Sequence, residues 1–208
     1  TTMQNMFHSA RAFNQPLNSW DVSQVTNMTS MFEYANTFNG NITGWDTSEV
    51  MDMTSMFKGY DNGWGAKTEM NQDLDGWDVS KVTSMESMFE FARDFKNDDE
   101  SLASWDVSKV TNMRKIFKDG SGSLVLDLTT WNVSSVGLAG TTSNTSNMRQ
   151  AFENTIYRGD FKIEENRHNL RCAWEPLVGI DVFRWAATGK FQGQTIEIYE
   201  RWGTAPCT

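Results

Sequence analysis

The stretch Leu17–Ala35, LNSWDVSQVTNMTSMFEYA, decides how the rest of the chain is read. Its apolar residues are Leu17, Trp20, Val22, Val25, Met28, Met31, Phe32 and Ala35. Trp20 and Val22 lie two apart, the spacing that puts side chains on one side of a strand. Met28, Met31, Phe32 and Ala35 follow at steps of three and four, the period of one helical face. The pattern predicts a short strand, a corner, and a short helix packed back against the strand.

The unit recurs. Leu17/Trp20/Val22 is followed by Ile42/Trp45/Thr47, Leu74/Trp77/Val79, Leu102/Trp105/Val107 and Leu128/Trp131/Val133. The matching second halves are Met28/Phe32, Met53/Phe57, Met85/Phe89, Met113/Phe117 and Met148/Phe152, and Met3/Met6/Phe7 stands alone as a second half. The steps from Trp20 to Trp45, Trp77, Trp105 and Trp131 are 25, 32, 28 and 26 residues. A base period near 25 with insertions predicts a solenoid whose turns stack on their neighbours. Thr26, Thr54, Thr83 and Thr111 precede the Met runs, where a hydroxyl can cap a helix start. The insertions Lys58–Glu69, Lys96–Ser101 and Gly137–Asn147 are rich in Gly, Asn, Ser or Asp and read as surface loops. Trp64 lies inside the first and is a candidate loop contact.

Beyond Tyr157 the period is lost. Asp160–Trp174 reads as a charged helix, and Gln194–Trp202, with Ile196 and Ile198 two apart, as a strand. Trp174, Phe183, Trp185 and Trp202 suit a cap over the last turn's core, which a stack of repeats requires. Cys172 and Cys207 are the two cysteines, and as a pair flanking the tail they read as one disulfide and favour an oxidising compartment.

The phrase WDVSxVTNMxxMF, best kept at Trp20–Phe32, Trp77–Phe89 and Trp105–Phe117, resembles the bacterial surface protein repeat of about 25 residues. That BspA-like family is a divergent relative of the leucine-rich repeats. Trp45–Phe57 and Trp131–Phe152 depart from the phrase at one or more positions. The resemblance covers about residues 1–154. It implies a leucine-rich-repeat-like solenoid displayed outside the cell for adhesion or recognition, with no catalytic residues.

The expected fold is therefore α/β: a leucine-rich-repeat-like solenoid over 1–156, about six turns with the first truncated. It would have a parallel sheet of short strands, short helices on the opposite side, and a non-repeat capping region over 157–208.

In such strands the residues between Trp and Val face solvent. One exposed row would hold Asp21, Asp46, Asp78, Asp106 and Asn132, with Ser23, Ser48, Ser80, Ser108 and Ser134 beside it. Parallel strands lie about 4.8 Å apart, so the carboxylates would repel one another unless something offsets the charge. Serine hydroxyls and backbone N–H groups at a turn are one offset. Calcium at Asp46, Asp78 and Asp106 is a second, and would be the only cofactor. Contact with sugar hydroxyls or a basic partner is a third.

The charge of −9 and pI near 4.7 argue against a nucleic-acid backbone or an anionic membrane surface as main partner. No apolar run reaches the roughly 20 residues that span a bilayer. His8 and His168 stand apart without a cysteine or second histidine nearby, and no phosphate loop or nucleophile elbow occurs. The carboxylate pairs Glu164/Glu165 and Glu197/Glu200 are expected as solvated surface in a chain with 27 Asp and Glu. Enzyme chemistry is not expected. Sequons at Asn27, Asn41, Asn132 and Asn144 are glycosylation candidates, with Asn144 on a loop. The expected function is a non-enzymatic extracellular recognition or adhesion module that binds protein or glycan through the exposed strand face and loops. The alternative is a structural subunit of a surface layer, fibre or larger assembly, joined to neighbouring subunits through the open N-terminal turn.

Overall fold

A computed structural model describes residues 1–60, 68–97, 102–120, 126, 128–136, 147, 151, 188–191 and 194–197. The repeat units stack on one another, but among the described residues they contain no strand and no α-helix. Parallel pairing between units is confined to isolated bridges, Thr2↔Asn27↔Asp52↔Ser84↔Asn112. Among the described residues no α-helix forms. The α/β solenoid with a parallel sheet and opposing helices is thus corrected to a stack of coils built from successive β-turns.

The reason lies in the backbone. Most apolar-x-x-apolar steps are single turns closed by an i→i+3 hydrogen bond. In the second coil Trp20 N–H donates to Leu17 O (2.9 Å), Val25 to Val22 O (2.8 Å), Met31 to Met28 O (3.1 Å), Ala35 to Phe32 O (3.0 Å) and Phe38 to Ala35 O (3.0 Å). The third coil repeats the scheme at Trp45, Val50 and Met56, and the fourth at Trp77, Val82, Met88, Ala92 and Phe95. At most of these turns both ends are apolar and buried, with Thr47 buried in an apolar place and Trp20 partly exposed.

In the Met run the amides alternate. Met28, Ser30, Phe32 and Tyr34 donate to Asp52, Thr54, Met56 and Lys58 carbonyls of the next coil, at 2.8–2.9 Å, while Met31, Glu33 and Ala35 bond within their own coil. A helix needs every amide to bond four residues back, so this alternation excludes it. Positive φ enforces the alternation: Ser30 (54°) and Tyr34 (62°), repeated at Ser55 (55°), Ser87 (57°), Phe91 (61°), Lys115 (60°) and Asp119 (57°). These residues stand third in their turns, the place that requires a left-handed backbone in a type II turn.

The core is a set of columns along the stack. Phe7, Phe32, Phe57, Phe89 and Phe117 lie nearly parallel, with centroids 5.3, 5.7, 5.8 and 5.6 Å apart in succession. Trp45–Trp77 (6.1 Å) and Trp105–Trp131 (5.9 Å) stack likewise. Leu, Val and Met columns fill the remainder, with Met28, Met53, Met85 and Met113 fully buried. Each buried indole also donates to the preceding coil: Trp45 Nε1 to Leu17 O (2.9 Å), Trp77 to Ile42 O (3.2 Å), Trp105 to Leu74 O (2.8 Å) and Trp131 to Leu102 O (2.9 Å). Tryptophan at this position therefore supplies apolar area and a donor for a buried carbonyl. An asparagine column does similar work, since Asn14, Asn39 and Asn71 side chains accept from the Asn39, Asn71 and Lys96 amides of the next coil.

Gly40 is required by close approach, because a Cβ there would lie 2.2 Å from Gln15 O. The threonines expected to cap helices bond elsewhere. Thr26, Thr83 and Thr111 hydroxyls donate back to the Thr1, Met51 and Thr83 carbonyls, and Thr54 meets the Ser84 hydroxyl. In the tail, β1 (Thr188–Phe191) pairs antiparallel with β2 (Gln194–Glu197), so a strand begins where Gln194–Trp202 is expected to supply one. The expected helix Asp160–Trp174 and the pair Cys172 and Cys207 lie outside the described residues.

Candidate functional site

The row between Trp and Val is exposed, as expected, but it sits on turns. Asp21, Asp46, Asp78, Asp106 and Asn132 are solvent-facing, flanked by buried Val22, Val79, Val107 and Val133, with buried Thr47 in the second position of that column. Each first residue folds its side chain onto the turn that follows. The amides of Ser23, Ser48, Ser80, Ser108 and Ser134 donate to Oδ1 of Asp21 (3.0 Å), Asp46 (3.1 Å), Asp78 (2.9 Å), Asp106 (3.0 Å) and Asn132 (3.1 Å). This is the Asx-turn, in which the short side chain substitutes for a backbone acceptor. Asn132 does the same work without a charge.

The Ser23 hydroxyl also donates to Asp21 Oδ1 at 2.6 Å. Serine hydroxyl bonds, and then serine N–H bonds, hold Asp21, Asp46 and Asp106 below the usual carboxylate range. At Asp46 the neighbouring Asp21 opposes this and Lys81 assists it. Hydroxyl and amide bonds are thus present as an offset for the like charges. Among the described residues no group of three or more His, Cys, Asp or Glu converges as a metal site, including Asp46, Asp78 and Asp106.

A second set of Asx-type turns starts the Met run. Thr29, Thr54 and Arg114 amides donate to Asn27, Asp52 and Asn112 Oδ1 at 2.9, 2.9 and 3.1 Å. The sequon residue Asn27 is therefore half-buried and engaged, whereas Asn41 and Asn132 are exposed. Asn41 Oδ1 accepts from both N–H and hydroxyl of Thr43 (3.1 Å each). Asn144 and Trp64 lie outside the described residues.

Sequence reasoning missed a column of alternating charge on another side of the coils. The residue after each column phenylalanine is His8, Glu33, Lys58, Glu90 and Lys118 in turn. Lys58 Nζ lies 3.9 Å from Glu33 and 3.2 Å from Glu90, Lys115 lies 3.4 Å from Glu90, and His8 lies 3.9 Å from Glu33. Burial pulls the Lys58 ammonium down, but the Glu90 carboxylate and its smaller partners outweigh burial and hold it above its usual range. Aligning the repeats at Phe would have exposed this alternation. Beside it stand Tyr34 and the exposed Tyr60, edge to face at 5.6 Å and 81°.

A family model described as "Mycoplasma protein of unknown function, DUF285" matches residues 1–66 and 60–162. It agrees with the resemblance at the level of a repeat family related to surface repeat proteins, and does not specify a leucine-rich repeat of 25 residues. No curated protein and no solved structure matches the chain.

Proposed function

This chain belongs to the DUF285 family, and from that premise we propose that it is a non-enzymatic recognition module at a cell surface. It binds protein or glycan through the exposed Asp/Ser row. The observation that supports this reading is the row itself: one exposed carboxylate per coil at Asp21, Asp46, Asp78 and Asp106, with Oδ1 committed to its turn. These carboxylates are exposed, where the hydroxyls of a sugar or the cations of a protein can meet them. The stacked aromatic core holds these groups in place before a partner arrives, which lowers the ordering cost of binding.

The test is a binding screen of the chain against immobilised glycans and basic extracellular proteins. It is repeated with the D46N/D78N/D106N variant, whose turns persist as Asn132 shows. The expected result is a loss of roughly tenfold or more in affinity for whatever is captured. Undiminished binding by the variant removes the row from the contact. Protease accessibility on intact cells checks the surface location.

A further inference from the structure

The outward edge of the first three coils carries four contiguous groups that the Asp/Ser row does not use: His8, Arg11, Tyr34 and Tyr60. His8 meets Tyr34 edge-on at 5.4 Å (68°), Tyr34 meets Tyr60 at 5.6 Å (81°), and Arg11 lies over the Tyr60 ring at 5.3 Å. Arg11 and Tyr60 are exposed, and Tyr34 is half-buried. Among the described residues no carboxylate pairs with Arg11; its side chain contacts the Tyr60 ring. A guanidinium placed over a ring engages its charge there and keeps N–H donors that can pair with a planar carboxylate. The nearby acid, Glu33, is already shared by Lys58 and His8 at 3.9 Å each. In a chain of net charge −9 this is a local cationic and aromatic corner.

We propose that this corner binds a carboxylate-bearing saccharide, the carboxylate on the Arg11 fork and the apolar face of a sugar ring against Tyr34 and Tyr60. Perpendicular rings form a floor and a wall, which suits a ligand with one apolar face and polar edges. The fork favours a planar acid over a neutral sugar, because only the acid offers the guanidinium an opposite charge and two parallel acceptors. The inference rests on the recognition reading but places this contact away from the aspartate row.

The experiment is an NMR titration of the 208-residue chain with hyaluronan tetrasaccharide, neutral N-acetylchitotetraose and a tetraglutamate peptide. Shift changes at Arg11, Tyr34 and Tyr60 with hyaluronan, at least roughly tenfold weaker for the neutral sugar and for R11A, are expected. R11K retains the charge without the fork and should also weaken binding, which keeps the test valid should R11A fail to fold. The D46N/D78N/D106N variant reports separately on the aspartate row. If only that variant loses binding, the row is the contact and the corner is not. No shifts with hyaluronan, equal affinity for the neutral sugar, or binding untouched in R11A and R11K overturns the proposal. Stronger binding of tetraglutamate overturns it in favour of an acidic peptide.

Discussion

The aspartate of each W-D-V-S phrase is a turn residue first. Its carboxylate accepts the serine amide two residues on, and the serine hydroxyl, then this amide, hold Asp21, Asp46 and Asp106 below the ordinary range. A depressed carboxylate contributes stability that is fully present above the unfolded pKa and is lost as pH falls through the folded one. The melting temperature should therefore fall as pH drops from about 4 toward about 2. A chain carrying D21N, D46N and D106N should show a shallower fall over that window, and an unchanged slope would remove these residues from the acid response. The left-handed positions make a second residue-scale case. Ser55 has φ of 55°, where a β-branched side chain is strained. Ser55→Val should cost about 1–2 kcal/mol in denaturant unfolding, and Ser55→Gly should lie near neutral. Equal effects of the two would mean that the backbone does not hold this geometry in solution.

At the scale of one coil, the apolar positions were legible in the sequence and the backbone between them was not. Met28, Met31, Phe32 and Ala35 do face inward, as a helix of that spacing would place them. A chain of turns closed three residues apart buries the same positions, so apolar period cannot separate the two. What separates them is Ser30 and Tyr34 at positive φ, and serine and tyrosine carry no composition signal for that conformation. The D-x-S and N-x-T pairs were the better clue, because Asx-turns recurring at both corners leave little room for strands. The indole bond supplies the test at this scale. Trp105→Phe removes a donor from buried Leu74 O and leaves a gap, which should cost about 2–4 kcal/mol. Trp20 is partly exposed and makes no such bond among the described residues, so Trp20→Phe should cost less than about 1 kcal/mol. Comparable losses at the two sites would show that the ring alone, and not its N–H, holds the coils together.

At the scale of the whole molecule, the named contacts among the described residues of the stack run between neighbouring coils. Phenylalanine stacks, indole bonds, asparagine bonds and the alternating ions His8, Glu33, Lys58 and Glu90 all connect one coil to the next. Such a stack has a stability close to a sum of neighbour terms, so opening should begin at the ends and move inward. The alternating ions matter here for register, since sliding one coil across its neighbour would part opposite charges. Native-state hydrogen exchange reads the gradient directly. The amides of Ser55, Phe57, Ser87 and Phe89, bonded to the next coil at 2.8–3.0 Å, lie inside the stack and should exchange only with global unfolding. The amides of Asn5 and Phe7 make the same type of bond at 3.0 and 2.8 Å, yet sit on the first coil, where Met6 is exposed. They should exchange at least about tenfold faster, because local opening there breaks a single interface. Uniform protection across all six would mean that the described coils unfold as one unit. Charge and aromatic contacts would then couple them more strongly than nearest-neighbour packing requires.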